Sequence, residues 1–130
     1  MSANSPGNSR HGSARTVVAA SERAFRPYDR YGKVIAGLSW LPLGQDDDPE
    51  HITYLLRFDP GTASVPHEHT GVEEFLVLEG RLIDDDGTVF EAGTFVRFEP
   101  GTRHSSSAPD GCTVFVNLLG HNTPLAPDGA

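Results

Sequence analysis

The chain has 130 residues, of which 37% are hydrophobic, enough for one folded domain with a single core. Its formal net charge is −8, and Lys33 is the only lysine among ten basic residues, which form no cluster. This composition argues against nucleic acid and against an anionic membrane surface as partners. The single cysteine, Cys112, excludes an internal disulfide and a CxxC metal or redox motif. Residues 1–15 lack the apolar core of a secretory signal, and no apolar run is long enough for a membrane helix, so we expect a soluble cytoplasmic protein.

Both ends of the chain are predicted to be flexible. Residues 1–15 consist mainly of small and polar side chains without periodicity, which is typical of a disordered tail. Residues 123–130 contain two prolines and one glycine and are interpreted in the same way. Residues 16–122 are therefore predicted to form one domain.

Short segments rich in β-branched and aromatic residues follow one another between Gly, Pro and Asp turn signals. They are VIAGLSWL (34–41), ITYLLRF (52–58), EEFLVLE (73–79), RLIDD (81–85), TVFE (88–91), TFVRF (94–98) and CTVFVNLL (112–119). Strands of this length and spacing predict an all-β sandwich or barrel. Residues 19–25 would form at most one turn of helix. The acidic runs Asp46–Asp48 and Asp84–Asp86 are interpreted as solvated turns, because they lack the spacing of a calcium loop.

Two of the predicted strands are apolar on both faces. Residues 75–78 read Phe-Leu-Val-Leu and residues 114–116 read Val-Phe-Val, whereas a strand with one solvated face alternates. Such strands lie centrally in a two-layer sandwich, or their outer face contacts another subunit. Both can hold at once, and we expect a homodimer. Cys112 is predicted to be a small buried apolar residue within the last strand.

The segment PHEHTGVEEF places two histidines and a carboxylate close together. His67 and His69 stand at positions i and i+2 of an extended segment, so their side chains point to the same face. If the strand that begins at Glu73 pairs nearby, Glu73 adds an oxygen ligand and Phe75 lines the same cavity. His104, after a Pro–Gly turn, is a candidate for a further ligand. A single His-x-His pair is a weak signal, but this mixed set suits a divalent transition metal: Fe(II) or Zn first, then Mn, Ni, Co or Cu.

The spacing of these residues resembles the first conserved motif of the cupin superfamily. That motif has a glycine, two histidines one residue apart, a glutamate and a second glycine, and Gly61, His67, His69, Glu73 and Gly80 match it. The second cupin motif is matched at three positions and altered at two. The three that match are Gly93, Gly101 and His104, and those that differ are Glu99 in place of proline and Ala108 in place of asparagine.

Within the superfamily, residues 50–120 resemble the ChrR-like branch, in pieces such as EEFLVLEG, AGTFVR, PGTRH and GCTVFV. The resemblance implies a single-domain, all-β cupin barrel, a jelly roll of two antiparallel sheets. It also implies one metal ion inside the barrel, with the ligands His67, His69, Glu73 and His104. The branch includes the metal-binding C-terminal domain of an anti-sigma factor and dioxygenases similar to those that cleave acetylacetone or dihydroxyacetophenone.

Two functions stay open at this point. One is a metal-dependent enzyme of the dioxygenase type that acts on a small molecule, although the acetylacetone enzymes use three histidines and Glu73 adds a carboxylate here. The other is a non-catalytic metal-binding sensor or regulatory module of the ChrR type. For an enzyme, pocket residues would come from strands that share the barrel interior, and the candidates are Trp40, Arg57, Phe75, Phe95, Arg97 and Asn117. Strand parity is open, so part of this set is expected to face outward. An inward arginine would favour an anionic or enolate substrate, and an outward one would pair with the acidic runs.

Overall fold

The computed structural model describes residues 14–44 and 50–125, and within them the chain is almost entirely β-strand. One 3-10 helix of three residues, Ala20–Glu22, precedes the strands, and no described helix has the length and hydropathy needed to cross a membrane. The strands are β1 (Arg26–Pro27), β2 (Leu38–Gly44), β3 (His51–Phe58), β4 (Thr62–Ala63), β5 (His67–His69), β6 (Glu73–Asp84), β7 (Val89–Glu91), β8 (Phe95–Phe98), β9 (Arg103–His104), β10 (Ser106–Ala108), β11 (Cys112–Leu119) and β12 (Asn122–Pro124). The all-β prediction is confirmed.

The predicted flexible ends lie mostly outside the described residues, as does the run Asp46–Asp48. The predicted flexible C-terminal segment, residues 123–130, needs a correction in its described part, residues 123–125. Thr123 and Pro124 belong to β12, which pairs with β5 in the register Asn122 to His69. The last ordered segment therefore extends past residue 122, because its backbone completes the hydrogen bonding of the strand that carries two of the histidines.

The strands form a large curled sheet and a small one, and every pairing is antiparallel. The large sheet has the order β1-β2-β3-β11-β6-β10-β4, with β7 and β8 also paired to β6. The small sheet has the order β12-β5-β9. The first half of β6 pairs with β11 and β8, whereas its second half pairs with β10 and β7. This sharing of one long strand curls the sheet into the predicted barrel.

The core lies on the concave side of the large sheet. Every second residue of β11 from Val114 to Leu118 is buried there, and Ile52 and Tyr54 of β3 face the same interior. Cys112 is buried at the start of β11, as predicted. Even-numbered positions of β3 and β11 thus point inward, and the odd-numbered ones between them point outward.

A bulge in β6 changes which of its residues face the core. Alternate residues from Glu73 to Val77 are buried in the first half, but Leu82 and Asp84 are buried in the second half. The pairing with β11 skips one residue at Leu78. One extra residue in a strand reverses the side to which all following side chains point. Asp84 therefore faces the interior and is not part of a solvated turn, which corrects the interpretation of the run Asp84–Asp86.

Gly80, just after the bulge, is held at a close backbone approach. Its φ is +72°, and an added Cβ would overlap the carbonyl oxygen of Gly111. We expect Gly80→Ala to lower the free energy of unfolding by about 2–5 kcal/mol, because left-handed backbone costs an L-residue about 1–2 kcal/mol and overpacking adds about 1–3 kcal/mol. Gly87→Ala is the matched control, since Gly87 has a φ of +88° but open space around it. Urea denaturation of both variants measures the difference, and equal losses would contradict the steric explanation.

Candidate metal centre

Four side chains from three strands converge on the inner side of the barrel. They are His67 and His69 of β5, Glu73 of β6 and His104 of β9, and their potential ligand atoms all lie within 4.8 Å of one another. His67 pairs directly with His104 in the β5–β9 ladder. The centroids of the three imidazole rings are 4.7–5.0 Å apart. The structure thus brings together all four residues that the cupin resemblance implies as ligands.

Two of the imidazoles are held through Nδ1 by acceptors that cannot donate. Nδ1 of His67 lies 2.6 Å from the carbonyl oxygen of Val65. Nδ1 of His104 lies 2.7 Å from Oδ1 of Asp84, which is buried and also accepts a hydrogen bond from Ser106 Oγ at 2.9 Å. Since a carbonyl and a carboxylate only accept hydrogen bonds, Nδ1 of both histidines carries the proton.

The third imidazole is fixed by a hydroxyl group whose own proton is already used. Oγ1 of Thr102 donates to the carbonyl oxygen of Glu99 at 2.8 Å, so it accepts from Nδ1 of His69 at 2.8 Å. His69 is fully buried. Its tautomer is therefore the same as that of the other two histidines.

The consequence is a group of three lone pairs in the interior. The Nε2 atoms of His67, His69 and His104 are all buried and have no hydrogen-bond partner within the described residues. Buried polar atoms normally have partners, and three adjacent acceptors of this kind, together with Glu73, form a group that could hold a metal ion. Neutral imidazoles that donate through Nδ1 and present Nε2 are the usual form of histidine ligands.

Glu73 completes the set with an oxygen atom. Its Oε1 lies 3.3 Å from Nε2 of His69, and its Oε2 accepts a hydrogen bond from Nδ2 of Asn122 at 3.0 Å. Burial pushes the pKa of Glu73 upward, but polar contacts outweigh burial and the pKa lies below its usual value; the hydrogen bond from Asn122 is the contact that needs no proton on Nε2 of His69. The pKa of His67 is also lowered, chiefly because burial disfavours the charged imidazolium. An ionised carboxylate beside a neutral imidazole is the protonation state that a cation requires.

An apolar cavity of about 80 Å³ lies against this cluster and has His67, Glu73 and His104 in its wall. No lysine or arginine among the described residues lines it. Most of the wall is aliphatic or aromatic, and the polar side chains besides the cluster are Tyr28, Tyr31, Tyr54, Ser64, Ser106 and Asn122. A cavity of this kind suits a compact ligand with an apolar body.

Two of the tyrosines are buried behind the cluster and stay neutral. Burial is the main reason that the pKa values of Tyr28 and Tyr54 lie well above the usual value, and the charges of Tyr31 and Glu73 raise both further. Trp40 packs edge-on against both rings, with centroid distances of 5.1 and 5.5 Å. Its ring belongs to the core and does not line the cavity.

Phe75 is the one member of the predicted pocket set that lines the cavity. The side chain of Arg57 is exposed, and its guanidinium lies over the ring of Phe25, 3.8 Å from the centroid. Phe95 is 60% exposed. These two residues occupy odd-numbered positions of β3 and β8, which point outward.

Arg97 and Asn117 take part in a hydrogen-bonded chain on the outer face of the large sheet. Arg97 pairs with Glu74 at 2.8 Å and with Glu99 at 2.7 Å. Asn117 donates to Glu74 at 3.1 Å and contacts Nε2 of His51 at 2.9 Å. Both arginines of the predicted set therefore face outward and neither lines the cavity, which is the second of the two alternatives left open by the sequence.

Several residues that shape the site were not anticipated from the sequence. Asp84 and Thr102 hold imidazoles, Asn122 holds Glu73, and Tyr28 and Tyr54 line the cavity. The alternation of Ile52 and Tyr54 in ITYLLRF was a usable signal for Tyr54. The others depend on pairing between distant strands, which leaves no local pattern.

Comparisons with known proteins agree with this fold. Residues 13–121 match the sequence model of a family described as "ChrR Cupin-like domain". Comparison with curated protein sequences gives no match. Several solved structures that are less than 25% identical in sequence to this chain share its fold.

A cupin-like protein of Ralstonia eutropha is 24% identical, with a TM-score of 0.66 over 72% of this chain and 62% of that one. An acetylacetone dioxygenase of Acinetobacter johnsonii is 19% identical, with a TM-score of 0.77 over 95% of this chain and 85% of that one. A chain in the complex of SigE with the anti-sigma ChrR of Rhodobacter sphaeroides is 24% identical, with a TM-score of 0.62. That match covers 76% of this chain and 51% of the other. Because this family model matches most of the chain, the chain belongs to the ChrR cupin-like domain family.

Proposed function

We propose that this protein holds one divalent transition metal ion on His67, His69, Glu73 and His104 and acts on a small molecule as an enzyme of the dioxygenase type. Fe(II) and Zn(II) are the ions that we expect first. The imidazole and carboxylate ligands also suit Mn, Ni, Co and Cu. The observation that carries the proposal is the group of three buried Nε2 atoms without partners. Two of these histidines also line the cavity, so a ligand in the cavity would reach the ion.

A bound metal ion would supply a Lewis acid and a template for substrate oxygen atoms. The chain contributes the rest of the site. Asp84 and Thr102 fix two imidazoles, and the apolar wall around Phe75 keeps bulk water away from the reacting atoms. Because no cationic side chain among the described residues lines the cavity, the substrate is neutral or carries its charge on the atoms that bind the metal. The fold shared with an acetylacetone dioxygenase supports this function.

A regulatory role is the second candidate, and the family membership favours it. The family takes its description from ChrR, and a chain of the anti-sigma ChrR complex shares the fold. This chain spans about half of that one, so any sigma-factor partner is part of this second candidate only. In this role the metal centre would sense a ligand or an oxidant without turnover.

The proposal also covers the location of the protein and its partners. We expect a cytoplasmic protein that binds neither nucleic acid nor membranes, in line with its acidic composition. We also expect a homodimer. The surface that we expect in the interface is the outer face of the large sheet, next to the hydrogen-bonded chain of Arg97 and Asn117. Its apolar side chains are Leu43, Leu76, Phe95 and Phe115.

Elemental analysis of anaerobically purified protein, together with oxygen uptake on β-diketones and hydroxylated aromatic ketones, tests the proposal. We expect about one metal ion per chain, with iron, or uptake restored by added Fe(II), for the dioxygenase. One tightly bound zinc without turnover would favour the regulatory role. A chain that binds no transition metal under these conditions would contradict both.

A further inference from the structure

Asn122 lies beside the metal centre but belongs to neither cupin motif. Its Nδ2 donates to Oε2 of Glu73 at 3.0 Å, and its backbone N–H donates to the hydroxyl oxygen of Tyr31 at 2.9 Å. Its backbone also pairs with His69 across the β5–β12 ladder. Asn122 is thus held in two ways: its side-chain amide by the carboxylate of Glu73, and its backbone by the pairing of β12 with β5.

These contacts fix the orientation of the amide. A carboxylate only accepts hydrogen bonds, so the NH₂ group of Asn122 must face Glu73 and the carbonyl oxygen must face away from it. That oxygen, Oδ1, is buried and has no hydrogen-bond partner within the described residues. Asn122 is at the same time part of the cavity wall.

A buried amide oxygen without a partner is costly, and such atoms are normally satisfied. The other buried side-chain atoms without partners in the described residues are the three histidine Nε2 atoms and the indole nitrogen of Trp40, which is a donor. Oδ1 is therefore the one orphaned acceptor that is not a candidate metal ligand. Asn122 is part of the cavity wall, and because Oδ1 is closed off even from a water molecule, a molecule in the cavity becomes its partner when the amide shifts toward it.

We propose that Asn122 is the ligand-selecting residue of this cavity, with Oδ1 accepting a hydrogen bond from a hydroxyl group of the bound small molecule. The inference rests on the proposed function in one respect, that the cavity beside the cluster is where the ligand binds. It adds that the ligand class carries a hydrogen-bond donor next to its metal-binding oxygen atom, as α-hydroxyketones do. A site built around such an acceptor rejects analogues that lack the donor, because the acceptor is then left unpaired.

The test compares two ligands of nearly equal size, 3-hydroxy-2-butanone and 2,3-butanedione, which differ by a hydroxyl group in place of a carbonyl group. Their affinities are measured by calorimetry or NMR titration for the wild type, Asn122→Leu and Asn122→Ala. We expect the affinity ratio in favour of the hydroxyketone to fall about fivefold or more in the variants, the loss of one net hydrogen bond. Thr123→Ala is the matched control, because Thr123 is on the same strand with an exposed side chain, and it keeps the wild-type ratio.

Two outcomes would overturn the inference: a wild type that does not prefer the hydroxyketone, or a preference that survives in the Asn122 variants that fold. A merely structural role for Asn122 would weaken both ligands equally and leave the ratio unchanged. Metal content is measured on the same samples. A chain without metal contradicts the proposed function and the part of the inference that concerns a metal-binding oxygen atom, whereas the ratio alone decides whether Oδ1 of Asn122 accepts the hydrogen bond.

Discussion

Replacing His67 and His104 together by alanine is expected to reduce the metal content from about one ion per chain to none detectable. The two residues face each other in the β5–β9 ladder and supply two of the three Nε2 atoms that lack partners. Their loss leaves one imidazole and one carboxylate, too few ligands for a stable mononuclear site. Elemental analysis after dialysis against a weak chelator measures the change.

The control is the double variant His51→Ala with His121→Ala. These two histidines lie outside the cluster: one contacts Asn117 on the outer face, and the other lies near Thr70. The control removes as many imidazoles and should keep its metal. If the variant without His67 and His104 still holds one ion per chain, the ligand assignment is wrong.

Asp84→Leu is expected to weaken metal binding about 10- to 100-fold while the four candidate ligands stay in place. Asp84 is buried, and its Oδ1 accepts hydrogen bonds from Nδ1 of His104 and from Oγ of Ser106. Without this acceptor the imidazole loses both its fixed tautomer and its fixed orientation. Competition with a chromophoric chelator gives the dissociation constants.

Two further variants separate positioning from charge. Asp84→Asn keeps an acceptor oxygen and should lose much less affinity than Asp84→Leu. Asp85→Leu removes a neighbouring carboxylate that is exposed and accepts a hydrogen bond from the backbone N–H of Ser105 at 3.2 Å. Equal affinities for Asp84→Leu and Asp85→Leu would show that only the local negative charge matters.

Most of the strands could be predicted because their signals are local. Apolar and β-branched segments bounded by Gly and Pro turns mark β2, β3, β7, β8 and β11 within a few residues of their observed bounds. The segments 73–79 and 81–85 were predicted separately, but β6 runs through Gly80 and joins them. The pair His67 and His69 was predictable for the same reason, since positions i and i+2 of a strand share a face whatever the strand pairs with. Glu73 and His104 were candidates from their places in the sequence, and the resemblance to cupins implied them as ligands, because periodicity alone does not bring them to the two histidines.

The walls of the cavity could not be predicted, because they depend on parity and register. Arg57 and Asn117 occupy the outward positions of β3 and β11, and a sequence does not say which of the two faces is inside. Asp84 faces inward only because of the extra residue at Leu78 in the middle of β6. Without the pairing to β11, the run Asp84–Asp86 reads as an ordinary acidic turn.

His104 is far in the chain from the other three candidate ligands, although all four meet in space. A metal ion bound to both His67 and His104 would close a loop through all the residues between them, including the whole of β6. Unlike a disulfide, which persists in the unfolded chain and restricts it, such a loop is closed only while the folded barrel holds the ligands together. This chain has a single cysteine and cannot form that bond within itself. The ion would thus act as its removable cross-link, so that loss of the metal and opening of the barrel would be coupled events.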